Sequence, residues 1–152
     1  DPFCDQAVRR ILTLKKRPES AGLIVCADDW SSCHGHVAEL PADVLERMQK
    51  SWPGPVTWLV PNVAFPSMVV GAHESIALRV PGHAQARELC RQAGGLLVST
   101  SANERGQSPC ATAEQVLALW PKGVDAILQG RVGDCERPSQ LIDAFSGKVF
   151  RE

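Results

Sequence analysis

The sequence predicts one α/β domain of the α+β kind, with a twisted, open, mixed β-sheet and flanking helices. Three observations lead there. Helix-like and strand-like segments interleave along the whole chain, which argues for a sheet covered by helices. Several links between strand segments are too short for a helical crossover, notably the last one, so the sheet is mixed rather than wholly parallel. The chain has 152 residues, 44% of them hydrophobic, enough for one compact core. No repeat, low-complexity tract or linker divides it.

Each element has its own signal. Asp5 to Lys16 reads as a helix, with Val8, Ile11 and Leu12 at helical spacing and Pro18 ending it. Gly22 to Ala27 is a short apolar run with a β-branched centre, a buried strand. Ala42 to Trp52 reads as a helix stopped by Pro53-Gly54-Pro55, and Val56 to Val60 as the next strand. Ser75 to Val80 is a strand, His83 to Ala93 a helix closed by Gly94-Gly95, and Leu96 to Ser99 a strand running into a polar loop. Thr112 to Trp120 is a helix opened by a capping-box pattern, in which Glu114 or Gln115 answers Thr112. Val124 to Leu128, Gln140 to Asp143 and Lys148 to Phe150 read as short terminal strands.

Composition excludes some functions. The net charge is −1, so no global field announces a nucleic-acid binder, and any anion site must come from local clustering. No apolar run is long enough to span a bilayer, and the first residues do not resemble a signal peptide. Cys4, Cys26, Cys33, Cys90, Cys110 and Cys135 are scattered without a C-x-x-C pair, which fits reduced thiols in a cytoplasmic protein. Cys33, His34 and His36 could in principle hold zinc. With no second ligand pair at suitable spacing, they read as a polar loop, and no metal site is expected.

Four segments could carry chemistry. In the first, Leu14-Lys15-Lys16-Arg17-Pro18, helical spacing of about 100° per residue places Lys15 within the apolar arc and Lys16 outside it. A lysine on an inward face is costly unless it snorkels or meets an anion. Arg17, before proline, can turn toward the same anion, and a point charge beside a bidentate fork suits a polyphosphate. A solvated basic face is the plainer alternative. In the second, an apolar strand runs into Ser99-Thr100-Ser101-Ala102-Asn103. Its hydroxyls and N–H groups suit phosphate or carboxylate oxygens, or a turn and cap cluster. No G-x-S-x-G elbow supports a serine nucleophile. In the third, Ser75, Ala77 and Arg79 share one strand face, and Arg79 is either a carboxylate clamp or a surface arginine. The fourth, Glu136-Arg137-Pro138-Ser139, reads as a turn first and a ligand contact second.

Taken in order, these segments resemble the YrdC/TsaC family. The matching stretches are Leu14-Lys15-Lys16-Arg17-Pro18, Gly22-Leu23-Ile24, Trp52-Pro53-Gly54-Pro55-Val56-Thr57, Ala77-Leu78-Arg79-Val80, Ser99-Thr100-Ser101-Ala102-Asn103 and Arg137-Pro138-Ser139. The K-x-R plus S-x-N set, here Lys15, Arg17, Ser101 and Asn103, resembles the active synthases of that family. The resemblance implies a YrdC-like fold with a concave basic cavity. It implies threonylcarbamoyl-AMP synthesis from ATP, L-threonine and bicarbonate, with release of pyrophosphate, for threonylcarbamoyladenosine modification of tRNA.

By the same resemblance, Lys15, Arg17, Ser101 and Asn103 are the catalytic, ATP-phosphate-binding set. Ser75 and Arg151 also meet the nucleotide, and Arg79 and Ser99 bind threonine. Mg²⁺ accompanies ATP, the tRNA threonylcarbamoyl-transferase machinery is a partner, and tRNA or RNA contact is a further expectation. Residues 1–152 are expected to form a YrdC-like domain lacking the family's N-terminal strand and threonine-pocket loop. Ala21 stands where relatives often carry Lys or Asn. The competing readings are a non-catalytic RNA-binding or ribosome-maturation module on the same fold, a carbamoyl-adenylate domain of a larger carbamoyltransferase, and an inactive homologue. Lys15→Ala is expected to leave the fold intact and Lys16 to be dispensable.

Overall fold

In the computed structural model the described residues are 1–130, 132–133 and 138–151. Helix α1 spans Asp5–Leu14 and strand β1 Ile24–Ala27. Helix α2 (Ala42–Ser51), strand β2 (Val56–Pro61), short helix α3 (Ser67–Val70) and strand β3 (Ser75–Arg79) follow. Helix α4 (Ala84–Gln92), strand β4 (Leu96–Ser99), helix α5 (Ala113–Leu119) and strands β5 (Gln140–Asp143) and β6 (Val149–Arg151) complete the order.

The six strands form one sheet in the order β4-β1-β3-β2-β5-β6. β1 runs parallel to β3 and β2 to β5, while β1–β4, β2–β3 and β5–β6 are antiparallel. The mixed sheet expected from the short links is therefore the one observed. One face carries Val25, Ala27, Trp58, Val60, Ile76 and Leu78, which join Val8 and Leu12 of α1, Val44 and Met48 of α2 and Val69 and Val70 of α3 in the buried core. The spacing of Val8 and Leu12 is the one that meets a sheet from a single helix face. Across the other face, the register aligns Ile24 with Ala77 and Ser99, and Cys26 with Arg79 and Leu97. Residues directly opposite share a face, so the polar candidates of β3 and β4 lie on the side away from the core.

Three local details depart from the sequence reading. First, α1 ends at Leu14, not Lys16, and Pro18 is not what stops it. Lys16 adopts a φ of 51°, its N–H bonds the Thr13 carbonyl, and the Arg17 N–H reaches back to Leu12 at 2.9 Å. This is a Schellman ending, built on a lysine where glycine is usual. Second, Val124–Leu128 is not a strand. The sheet edges are β4 and β6, and this segment lies beside α1: Arg10 pairs with Asp125 at 2.6 Å and donates to the Gly123 carbonyl. Third, α3 and the 3₁₀ turns at Glu19–Ala21, Trp30–Ser32 and His34–His36 have no counterpart in the sequence reading. They are too short to show a period.

Other expectations hold. Gln115 is the residue that completes the capping box of α5 with Thr112. The segment Glu136-Arg137 lies outside the described residues.

Candidate active site

The antiparallel pairing of β1 with β4 builds the site. Ile24 lies opposite Ser99, so the chain entering β1, residues 15–23, runs beside the chain leaving β4, residues 100–106. The C-terminus of α1 thereby meets the loop after β4, although more than eighty residues separate them. The Arg105 N–H donates to the Lys15 carbonyl at 3.2 Å, fastening loop to helix end.

Lys15 is 5% exposed. Its Nζ donates to the Ser101 carbonyl at 2.5 Å, to the Asn103 carbonyl at 2.6 Å and to Asn103 Oδ1 at 2.9 Å. Those three acceptors use every hydrogen of the ammonium. Burial, and secondarily the neighbouring Arg17 charge, lowers its pKa from 10.5. Ser101 Oγ donates to the same Asn103 Oδ1 at 2.7 Å, and Asn103 Nδ2 donates to the Gln107 carbonyl at 2.6 Å. The amide orientation is thus set by its two ends together. Lys16, in contrast, is exposed and pairs with Glu104 at 2.7 Å.

Arg17 is held by backbone. Its Nε donates to the Gly22 carbonyl at 2.8 Å and Nη2 to the Ala21 carbonyl at 3.0 Å. Gly22 can present that carbonyl because its backbone has φ 61°, ψ 172°, and Gly71 packs on it with φ 76°, ψ −146°. Such angles are almost confined to glycine. Burial and then the Arg105 charge lower the pKa of Arg17. Lys15, Arg17, Ala21, Ser101, Asn103 and Arg105 line a cavity of about 240 Å³ whose described lining includes no carboxylate. All four members of the K-x-R and S-x-N set are therefore in one cavity.

The remaining candidates lie on the sheet face beside it rather than in its lining. Arg79 Nε donates to the Gly54 carbonyl at 3.0 Å, which ties the arginine to the Pro53-Gly54-Pro55 turn. Ser99 hydrogen-bonds the Cys26 thiol, whose pKa burial raises while that bond and the Arg79 charge oppose the rise. Cys26 thus sits within reach of both Ser99 and Arg79. Ser75 is half-buried on the same face, at the other end of β3 from Arg79.

Arg151 donates to the Ser139 carbonyl at 2.9 Å and to Ser139 Oγ at 3.0 Å. Ser139 is itself buried against Thr57, with their hydroxyls 2.8 Å apart. Burial, then Arg79, then Arg17 lowers the pKa of Arg151. Arg151 therefore lies within reach of the charges of both Arg79 and Arg17.

Sequence reasoning missed two residues here. Cys26 gave no signal beyond its place in an apolar run. Arg105 was hidden in a polar loop, and only its position two residues after Asn103 could have marked it. Of the Cys33, His34 and His36 cluster, Cys33 is fully buried with its thiol on the Trp30 carbonyl, and His34 Nδ1 lies 2.8 Å from the Ser31 carbonyl. Burial, reinforced by Asp29, pushes that thiol up to about 12.

The family model for Sua5, YciO and YrdC, described as telomere recombination, matches residues 1–152. The chain is 41% identical over 152 residues to the threonylcarbamoyl-AMP synthase of Halorhodospira halophila, covering 99% of this chain and 80% of that protein. It is 40% identical over 152 residues to the Methylococcus capsulatus protein of the same name, covering 99% of this chain and 82% of the relative. Among solved structures, Sua5 of P. abyssi complexed with L-threonine superposes with a TM-score of 0.85 at 26% identity, over 91% of this chain and 41% of that one. This chain therefore spans less than half of that protein. YciO of E. coli shares the fold, with a TM-score of 0.86 at 22% identity, over 100% of this chain and 75% of that one. With a family model covering every residue and relatives 40–41% identical along nearly its whole length, the chain belongs to the Sua5/YciO/YrdC family.

Proposed function

We propose that this protein is a threonylcarbamoyl-AMP synthase. The observation that carries the reading is the Lys15–Ser101–Asn103 cluster, a buried cation and two polar side chains brought together beside Arg17 in an acid-free cavity. Such a site is built for a polyanion.

In the reaction, the threonine amine and bicarbonate condense to the N-carboxylate with loss of water. A carboxylate oxygen of that carbamate attacks the α-phosphorus of ATP. The bond from the α-phosphorus to its bridging oxygen breaks, and pyrophosphate departs with the electron pair. Lys15, Arg17, Ser101 and Asn103 hold the phosphates, and the cations offset the charge that develops on the leaving group. An incoming phosphate oxygen exchanges for one of the carbonyls now on Lys15.

Ser75 and Arg151 complete the nucleotide contacts. Arg79 takes the threonine carboxylate through the nitrogens left after Nε binds Gly54, and Ser99 lies across the same face. Magnesium arrives on the triphosphate as part of the substrate. The cavity lining offers it no carboxylate, so no step is assigned to a magnesium ion held by the chain.

The product is passed to tRNA by a separate threonylcarbamoyl-transferase machinery. The cytoplasm, where these substrates meet, is the proposed compartment; among the described residues no helix is long and apolar enough to cross a membrane. The test is ATP–pyrophosphate exchange with purified protein. Exchange that requires both threonine and bicarbonate supports the synthase, and exchange indifferent to either refutes it.

A further inference from the structure

We propose that Arg105 binds the pyrophosphate end of the triphosphate and sets the preference of the site for nucleotides that carry it. The inference rests on the synthase reading and adds a residue outside the K-x-R and S-x-N set.

The other two cations of the cavity are largely committed within the chain. Lys15 spends its ammonium on Ser101 and Asn103, and Arg17 spends Nε and Nη2 on the Gly22 and Ala21 carbonyls. Arg105 does not. Among the described residues its guanidinium has no hydrogen-bond or ion-pair partner, and the neighbouring Glu104 is taken by Lys16. An uncommitted guanidinium presents a planar fork that matches two phosphate oxygens at once.

Its place gives the direction of binding. Arg105 lines the 240 Å³ cavity and also a larger groove of about 480 Å³ that shares Arg17 and Pro18 with it and adds Arg9, Lys16 and Glu19. The loop after β4 runs outward from Ser99, at the threonine end, through Ser101 and Asn103 to Arg105. The attacked α-phosphorus must lie near threonine, so the outer phosphates lie toward Arg105, where the cavity opens on the groove. Arg17 and Arg105 are near enough for the charge of one to lower the pKa of the other. Glu19, the one carboxylate in the described lining of that groove, is paired with Arg9 at 3.1 Å, so the like charges of Arg17 and Arg105 are relieved by an added anion. The backbone bond from Arg105 to Lys15 holds that arginine at the rim independently of its side chain.

The experiment is calorimetric titration of pyrophosphate, ATP and AMP into the parent protein, Arg105→Ala, and Lys50→Ala. Lys50 is an exposed lysine of α2 paired with Glu46 and controls for loss of one charge. Arg105→Ala is expected to weaken pyrophosphate and ATP about tenfold, the loss typical of a charge-assisted contact, and to leave AMP unchanged. Lys50→Ala should change none of them. Equal affinities of parent and Arg105→Ala for pyrophosphate overturn the proposal. So does a matching loss for AMP, or a parent that does not bind pyrophosphate. Threonine-dependent exchange by the parent is measured alongside. Its absence defeats the synthase reading, while the pyrophosphate comparison still decides the role of Arg105.

Discussion

The Lys15 ammonium donates to Asn103 Oδ1 at 2.9 Å, and the Ser101 hydroxyl donates to the same oxygen at 2.7 Å. One amide oxygen therefore couples the end of α1 to the loop after β4. Lys15→Ala leaves this oxygen and two carbonyls without their shared donor, so it costs about 1–3 kcal/mol of stability while the fold stays intact, as expected from the sequence. Threonine-dependent exchange falls on the order of 100-fold, as when a preorganised transition-state contact is lost. Asn103→Ala produces the same pair of defects. Because the two residues share one interaction, the double variant is less than additive. Thermal melts and exchange assays on the three proteins check this.

Lys16→Ala should change stability by no more than about 0.5 kcal/mol, because its ion pair with Glu104 is exposed. Exchange should be unaltered. Lys16→Gly should be at least as stable as the parent, since a φ of 51° suits glycine better than lysine. If chemical denaturation shows Lys16→Gly clearly weakened, the Schellman ending is wrong.

Alkaline pH provides a third test. The folded pKa of Lys15 lies below 10.5, chiefly through burial and next through Arg17. Between the lowered value and 10.5 the unfolded chain binds more protons than the folded one, so this group's contribution to stability rises with pH across that window. The stability difference between the parent and Lys15→Met should therefore grow in the parent's favour as pH approaches 10.5. Exchange should move oppositely, declining below pH 10.5 as the phosphate-binding charge is lost. Urea melts and exchange rates over one pH series read both signs.

Arg79→Ala should raise the KM for threonine by roughly tenfold or more, the loss of a contact worth about 1.5–3 kcal/mol, with a much smaller effect on ATP. Arg79→Lys should not restore it, because a lysine cannot hold the Gly54 carbonyl and a carboxylate together as a guanidinium does. Equal losses for ATP and threonine would show that Arg79 only braces the turn.

Gly71→Ala should be among the more damaging single changes in the fold. An added Cβ meets Gly22 N at 2.4 Å and Ser20 O at 2.7 Å. The backbone angle alone costs a non-glycine residue about 1–3 kcal/mol. Relief must come by moving Gly22, whose carbonyl positions Arg17. Both the melting temperature and the apparent affinity for ATP should drop, although residue 71 lines neither cavity.

The sequence by itself determined the interleaved elements and the faces they bury. Helical and strand periodicity are local properties: Val8 and Leu12 mark the inner face of α1, and Ile76 and Leu78 the core face of β3, before any partner is known. It also marked Lys15 as inward and Lys16 as outward on helical rotation; the directions hold, although α1 ends at Leu14 and it is the left-handed backbone of Lys16 that carries its side chain to the Glu104 surface. Tertiary structure decided what those residues meet. The register of Ile24 with Ser99 sets the end of α1 against the loop after β4, and no local pattern encodes a pairing across that span. It also placed Val124–Leu128 outside the sheet and beside α1, where Arg10 pairs with Asp125. Cys26 and Arg105 became visible only there, since a thiol in an apolar strand and an arginine in a polar loop carry no pattern until neighbours supply their charges and hydrogen bonds.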